Sequence, residues 1–155
     1  QDRAGAGGGE ENGGSSSGNP NPHSDEHTDE WFIAWRHLAP ILSKHIPKDS
    51  SVIDLGCGTS RLSFDMLSSH LSGVGKVLAI DDADGAIVQM EAQKARLVLD
   101  GTTSAARASF LCADASQISS SYSFDVSMDK GTTDAMLCDV EHGPARCKAM
   151  YAAAA

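Results

Sequence analysis

Apolar positions along the chain repeat with two different periods, and the switches between them mark out the elements. Trp31, Phe32, Trp35, Leu38, Ile41, Leu42 and Ile46 recur at helical intervals, which predicts an amphipathic helix capped by Thr28 or Asp29 and ended by Pro47. Both tryptophans stand near its start, where they either pack on a sheet or line the rim of a pocket. A short unbroken apolar run, Val52 to Leu55, reads as a buried strand. Gly56-Cys57-Gly58 then turns the chain into a second helix, from Ser60 to about Leu71, with Leu62, Met66 and Leu67 inward and Gly73 and Gly75 closing it. Lys76 to Ile80 forms the second strand. A third helix, capped by Asp84 and stopped at Asp100-Gly101, turns Ile87, Met90, Ala95 and Leu97 or Val98 to the core. The third strand is Ser109 to Cys112, the serine-rich stretch Ser116 to Ser123 is a surface connection, and the fourth strand is Phe124 to Met128. After a turn around His142-Gly143-Pro144, a helix runs from Ala145 into the closing alanines.

Short apolar strands alternating with helices predict an α/β fold with a parallel sheet and right-handed crossovers. Ligands then bind at the carboxyl ends of the strands. Four strands are legible and no fifth follows, so the fourth strand, which should be interior, is expected to lack a neighbour. The expectation is a truncated product or a partial gene model: a partial domain over residues 28–155 behind a tail over residues 1–27.

The tail is rich in glycine and serine, and residues 1–30 carry seven acids against Arg3, a balance of -6 out of the chain's -9. Such a stretch buries too little to offset its ordering entropy, so it is expected to be disordered. His23 and His27 have no third ligand nearby and read as solvated side chains; no metal is expected. With the tail set aside the domain is nearly neutral, which argues against electrostatic binding of nucleic acid. No run approaches the ~18 apolar residues needed to cross a membrane. Cys57, Cys112, Cys138 and Cys147 show no C-x-x-C spacing, so free thiols in a reducing, cytoplasmic compartment are expected.

Candidate chemistry gathers at the strand ends. Asp54, Asp81, Asp114 and Asp129 stand at or just past the ends of the four strands. The glycine turn after the first strand suits a ligand lying against the backbone, with the free amides at the start of the next helix facing it. A dinucleotide would require G-x-G-x-x-G, but Arg61 occupies the third glycine position, and Asp54 would repel a pyrophosphate. The same carboxylate attracts an ammonium or a sulfonium. S-adenosyl-L-methionine is therefore favoured over a nicotinamide or flavin nucleotide, with Asp81 accepting from the ribose hydroxyls and Asp114 from the adenine amino group. Asp129 would stand beside the reactive methyl.

The run from Asp54 to Ser63, then Ile80-Asp81, the run from Phe110 to Asp114, and the run from Phe124 to Ala135 resemble successive motifs of class I methyltransferases. More narrowly, Asp-Lys-Gly-Thr-x-Asp-Ala and the Glu30-Trp31-Phe32 opening resemble the group that includes lysine methyltransferases of translation elongation factor 1A. The resemblance implies a Rossmann-like three-layer fold of which only the first four parallel strands are present. It also implies a cofactor site of Asp54, Gly56, Cys57, Gly58, Arg61, Asp81, Asp82, Asp114 and Ala115. Asp82 stands where the family usually has an apolar or aromatic residue, and Thr133 where it usually has a larger one.

The function expected is methyl transfer from S-adenosylmethionine to a protein lysine, with a translation elongation factor as a candidate substrate. Asp129 is the candidate catalytic residue, orienting the acceptor amine or helping it lose its proton. Trp31 and Phe32 are walls for the lysine stem, and Lys130 lies on the substrate side, facing a nearby acid. Two other readings stay open: an inactive half-domain serving as an interaction module, and a small-molecule methyltransferase. No Asn-Pro-Pro-Tyr-like run follows the fourth strand, which argues against methylation of base amino groups in nucleic acid.

Overall fold

The computed structural model of the protein describes residues 33, 35–70, 73–119 and 122–154. The tail, the caps Thr28 and Asp29, and the substrate-side Trp31 and Phe32 lie outside the described residues. Besides two 3-10 turns, the described residues form, in order, α1 (Trp35–Leu42), β1 (Ser50–Leu55), α2 (Leu62–Ser68), β2 (Val74–Asp81), α3 (Asp84–Leu99), β3 (Ala108–Cys112), β4 (Val126–Asp129), α4 (Thr132–Leu137) and α5 (Gly143–Ala154). The strands form one sheet in the order β3-β2-β1-β4. All three pairings are parallel, as the alternation of strands and helices requires.

Side chains alternate across β1 and so divide the core. Val52 packs with Trp35 and Ala39 of α1, Leu62, Phe64, Met66 and Leu67 of α2, and Ile87 and Met90 of α3. Ile53 and Leu55 pack instead with Ile80, Met136 of α4, and Cys147 and Met150 of α5. The sheet is thus covered on both faces, giving the three-layer α/β architecture expected of a Rossmann-like fold. The order places β1, with its glycine turn, between β2 and β4.

Several boundaries differ from the sequence reading for local reasons. Helix α1 ends at Leu42, not at Pro47; its chain continues as a turn in which His45 and Ile46 both donate to the Leu42 carbonyl, at 2.8 and 3.1 Å. Ile46 stays buried although it is not helical. Helix α2 is only seven residues long, and Gly75 does not close it but lies inside β2. A Cβ on Gly75 would come within 2.7 Å of the Asp49 carbonyl oxygen. The β1–β2 register slips at the same place, from Ser50 opposite Val74 to Ser51 opposite Lys76. Arg107 fastens this end, donating to the carbonyls of Leu67, Val74 and Gly75.

Asp84 is the first residue of α3 rather than its cap, a position held by Ala83. Ile87 and Met90 are buried as expected, but Ala95 and Val98 face solvent. Phe124 precedes β4, because Asp125 is tied to Ser51 by hydrogen bonds in both directions and the ladder starts only at Val126. Asp129 is the last residue of β4, opposite Leu55. Helix α4 was not predicted. Among the described residues β4 is an edge strand. None of the described helices is long and apolar enough to cross a membrane, and no group of metal-ligating side chains occurs among the described residues.

Candidate active site

Two glycines of the turn after β1 do different work. Both have positive φ, 69° at Gly56 and 51° at Gly58, values that disfavour a side chain. A Cβ on Gly56 would lie 2.0 Å from the Thr132 Oγ1. That hydroxyl donates to the Leu55 carbonyl at 2.5 Å, so the Asp-Lys-Gly-Thr run after β4 locks onto the glycine turn after β1. At Gly58 nothing approaches the absent Cβ within 4 Å, and the space is left open.

The amides of this turn face inward. Cys57 N–H donates to the Ile80 carbonyl at 2.9 Å and Gly58 N–H to Asp81 Oδ2 at 2.8 Å. They are consumed in joining β1 to the end of β2. Their effect is to aim Asp81. Its other oxygen, Oδ1, accepts from Ala83 N–H at 2.9 Å, so the carboxylate is clamped by two backbone donors and keeps a lone pair on each oxygen.

A cleft of about 330 Å³ opens here, lined by Gly56, Gly58, Asp81, Asp82, Ala113, Ala115, Lys130 and Arg146, with Thr132, Ala135 and Met136 completing the wall toward α4. It falls in the usual size range of small-molecule sites, roughly 300–1,000 Å³. A second cavity of about 220 Å³ shares Gly56, Gly58 and Lys130 with it and adds Asp54, Cys57, Thr59 and Ser60. Asp54 is only 2 % exposed, and the fully buried Ser63 hydroxyl of α2 donates to its Oδ2 at 2.8 Å. Burial raises the Cys57 thiol far above its ordinary pKa, and Asp54 and Asp81 push it further, so it stays protonated and unreactive.

The structure thus brings Asp54, Gly56, Cys57, Gly58, Asp81, Asp82, Ala115 and Lys130 to one connected hollow. Three candidates sit differently. Arg61 lines neither cavity and turns to Asp65 one turn along, at 3.9 Å. Asp114 caps the 3-10 turn that follows it: Oδ1 accepts from Ser116 N–H and Oγ at 2.8 and 2.7 Å, and Oδ2 from Gln117 at 3.2 Å. Arg146 reaches the same Oδ2 at 3.4 Å. Burial raises the Asp114 pKa, but the Ser116 hydrogen bonds and the Arg146 charge outweigh it and hold the carboxyl below its ordinary range.

Asp129 also lines neither cavity. Its Oδ1 accepts from the amides of Thr132 and Thr133, at 2.9 and 3.4 Å, which caps α4. Its Oδ2 accepts from the Thr133 hydroxyl and, at 2.9 Å, from Tyr151 of α5. Burial works against the charge, yet the bonds from Thr133, Tyr151 and Thr132 win and lower its pKa. A carboxylate so engaged is a poor proton acceptor, so this geometry does not suit the direct role beside the methyl expected from the sequence.

A clamped acid at the end of β2, a buried acid at the end of β1 and an open glycine between them suit a cationic nucleoside cofactor. The methyltransferase domain family matches residues 46–152, which include every one of these groups. The chain belongs to that family. Two relatives, the eEF1A lysine and N-terminal methyltransferases of Bos taurus and Homo sapiens, are each 34 % identical over 113 residues. Each match covers 72 % of this chain but 15 % of the relative's length. In fold, the methyltransferase domain of bacterial CtHen1 superposes with a TM-score of 0.54 at 17 % identity, over 76 % of this chain and 56 % of that one.

Sequence reasoning missed Ser63, Ala113, Thr132, Met136 and Arg146. Thr132 carried a signal, since it belongs to a motif already noticed, but its partner Gly56 lies 76 positions earlier. Arg146 carried none: its contacts cross from α5 to the ends of β2 and β3.

Proposed function

We propose that this chain binds S-adenosylmethionine in the cleft at the carboxyl ends of β1, β2 and β3, and that it belongs to an enzyme methylating a protein lysine. The observation that carries the reading is Asp81, whose carboxylate is fixed by Gly58 and Ala83 at the cavity wall with acceptor capacity left over for a ribose diol. The cofactor, when bound, supplies an electrophilic methyl group on a sulfonium.

Asp54 draws the ammonium end of the cofactor into the smaller cavity, and Ser63 keeps that buried carboxylate aimed. Gly58 leaves room for the cofactor against the backbone, and Gly56 closes the turn onto Thr132. Ala115, buried beside the cleft, walls the nucleoside end. Asp129 is a positioning residue here: by capping α4 it fixes Gly131 and Thr132 at the larger cavity and Lys130 at both. Transfer to a lysine is an in-line displacement, which depends mainly on alignment of an uncharged amine and exclusion of water. Trp31 and Phe32 remain the proposed walls for the lysine stem.

The names of the relatives, at 34 % identity, support a protein amine as acceptor and elongation factor 1A as the first substrate to try. Incubating the protein with methyl-tritiated S-adenosylmethionine and purified elongation factor 1A tests this. Label on a lysine of the factor is the expected result; label that appears only on small molecules would favour the small-molecule reading, and no label at all the interaction module.

A further inference from the structure

Asp82 is a charged residue in the wall of the larger cavity, and a bare carboxylate is a poor surface for a purine. The structure pairs it. Arg146 of α5 lines the same cavity and places Nη2 3.6 Å from Asp82 Oδ2 and 3.4 Å from Asp114 Oδ2. One guanidinium therefore bridges the residue after β2 and the acid after β3. Ser116, Gln117 and Arg146 together fill the roughly four acceptor positions of Asp114. Asp114 has little capacity left for the edge of a base. A guanidinium held by its edges keeps its flat, weakly hydrated faces available for stacking.

We propose that Arg146, tethered by Asp82 and Asp114, is the stacking wall of the nucleoside subsite and a determinant of cofactor affinity. The proposal rests on the S-adenosylmethionine reading above. Each ion pair is partly exposed and contributes little to folding; the value of the bridge lies in holding a planar cation in place before the ligand arrives. Planarity, not charge alone, is the property used, so lysine is a poor replacement. An apolar wall made by replacing both Asp82 and Arg146 is a good one.

Titration calorimetry with S-adenosylhomocysteine tests this on the wild type, Arg146→Ala, Arg146→Lys and the Asp82→Ile/Arg146→Met pair. Thermal melting without ligand serves as the folding control. Arg146→Ala should weaken binding about tenfold, within the span of a cation–π contact, and Arg146→Lys at least about fivefold. The double variant should return to within about threefold of the wild type. Wild-type affinity in Arg146→Ala, or full recovery in Arg146→Lys, would overturn the stacking role while leaving the cofactor reading intact. A wild-type protein that fails to bind S-adenosylhomocysteine would remove both. If Arg146→Ala does not fold, the lysine and double variants decide the matter in the same way.

Discussion

At the scale of single residues, the turn after β1 separates two demands that a sequence motif merges. Gly56 is required by packing and by backbone, since its absent Cβ would overlap Thr132 at 2.0 Å. Gly56→Ala should cost about 3 kcal/mol of stability, combining overpacking with a left-handed backbone, read from urea unfolding. Gly58→Ala meets open space and should cost only about 1 kcal/mol, while reducing cofactor affinity because it fills the space against the backbone. Equal destabilisation by the two substitutions would contradict this division. Asp54, Asp81 and both glycines were legible in the sequence because each lies within a local strand-to-turn pattern. The engagement of Asp114 and Asp129 was not: each joins hydrogen bonds from residues two to four positions on with one partner brought in from α5.

At the scale of elements, α4 and α5 show what periodicity misses. Helix α4 has six residues and opens with two threonines and an acid, so no apolar repeat announces it; its start is fixed by Asp129 capping instead. Helix α5 was legible in outline, but its role was not: Tyr151 bonds Asp129 and Arg146 reaches Asp82 and Asp114, which fastens it over the carboxyl edge of the sheet. Both Asp129 and Asp114 have folded-state pKa values below their ordinary ones. The stability they contribute is therefore present above the unfolded carboxylate pKa of about 4 and is lost as pH falls through the lower folded values. The melting temperature should hold from neutral pH to about pH 5 and drop below about pH 4. Asp129→Asn should melt lower at neutral pH and show a shallower acid decline. An acid limb as steep as that of the wild type would exclude Asp129 as a contributor.

At the scale of the whole molecule, three-layer packing and parallel order followed from the alternation of short apolar strands with helices. The connected hollow at the strand ends followed from β1 lying between β2 and β4. The chain accounts for 15 % of the length of the matched relatives, and within it the groups proposed to hold the cofactor are gathered together. The proposed function turns on this hollow holding S-adenosylmethionine through the clamped carboxylate of Asp81. Titration calorimetry of the wild type and Asp81→Ala with S-adenosylmethionine tests it most directly. One site per chain is expected in the wild type and at least a tenfold loss in the variant, about 1.4 kcal/mol or more. Undiminished affinity in Asp81→Ala would contradict it.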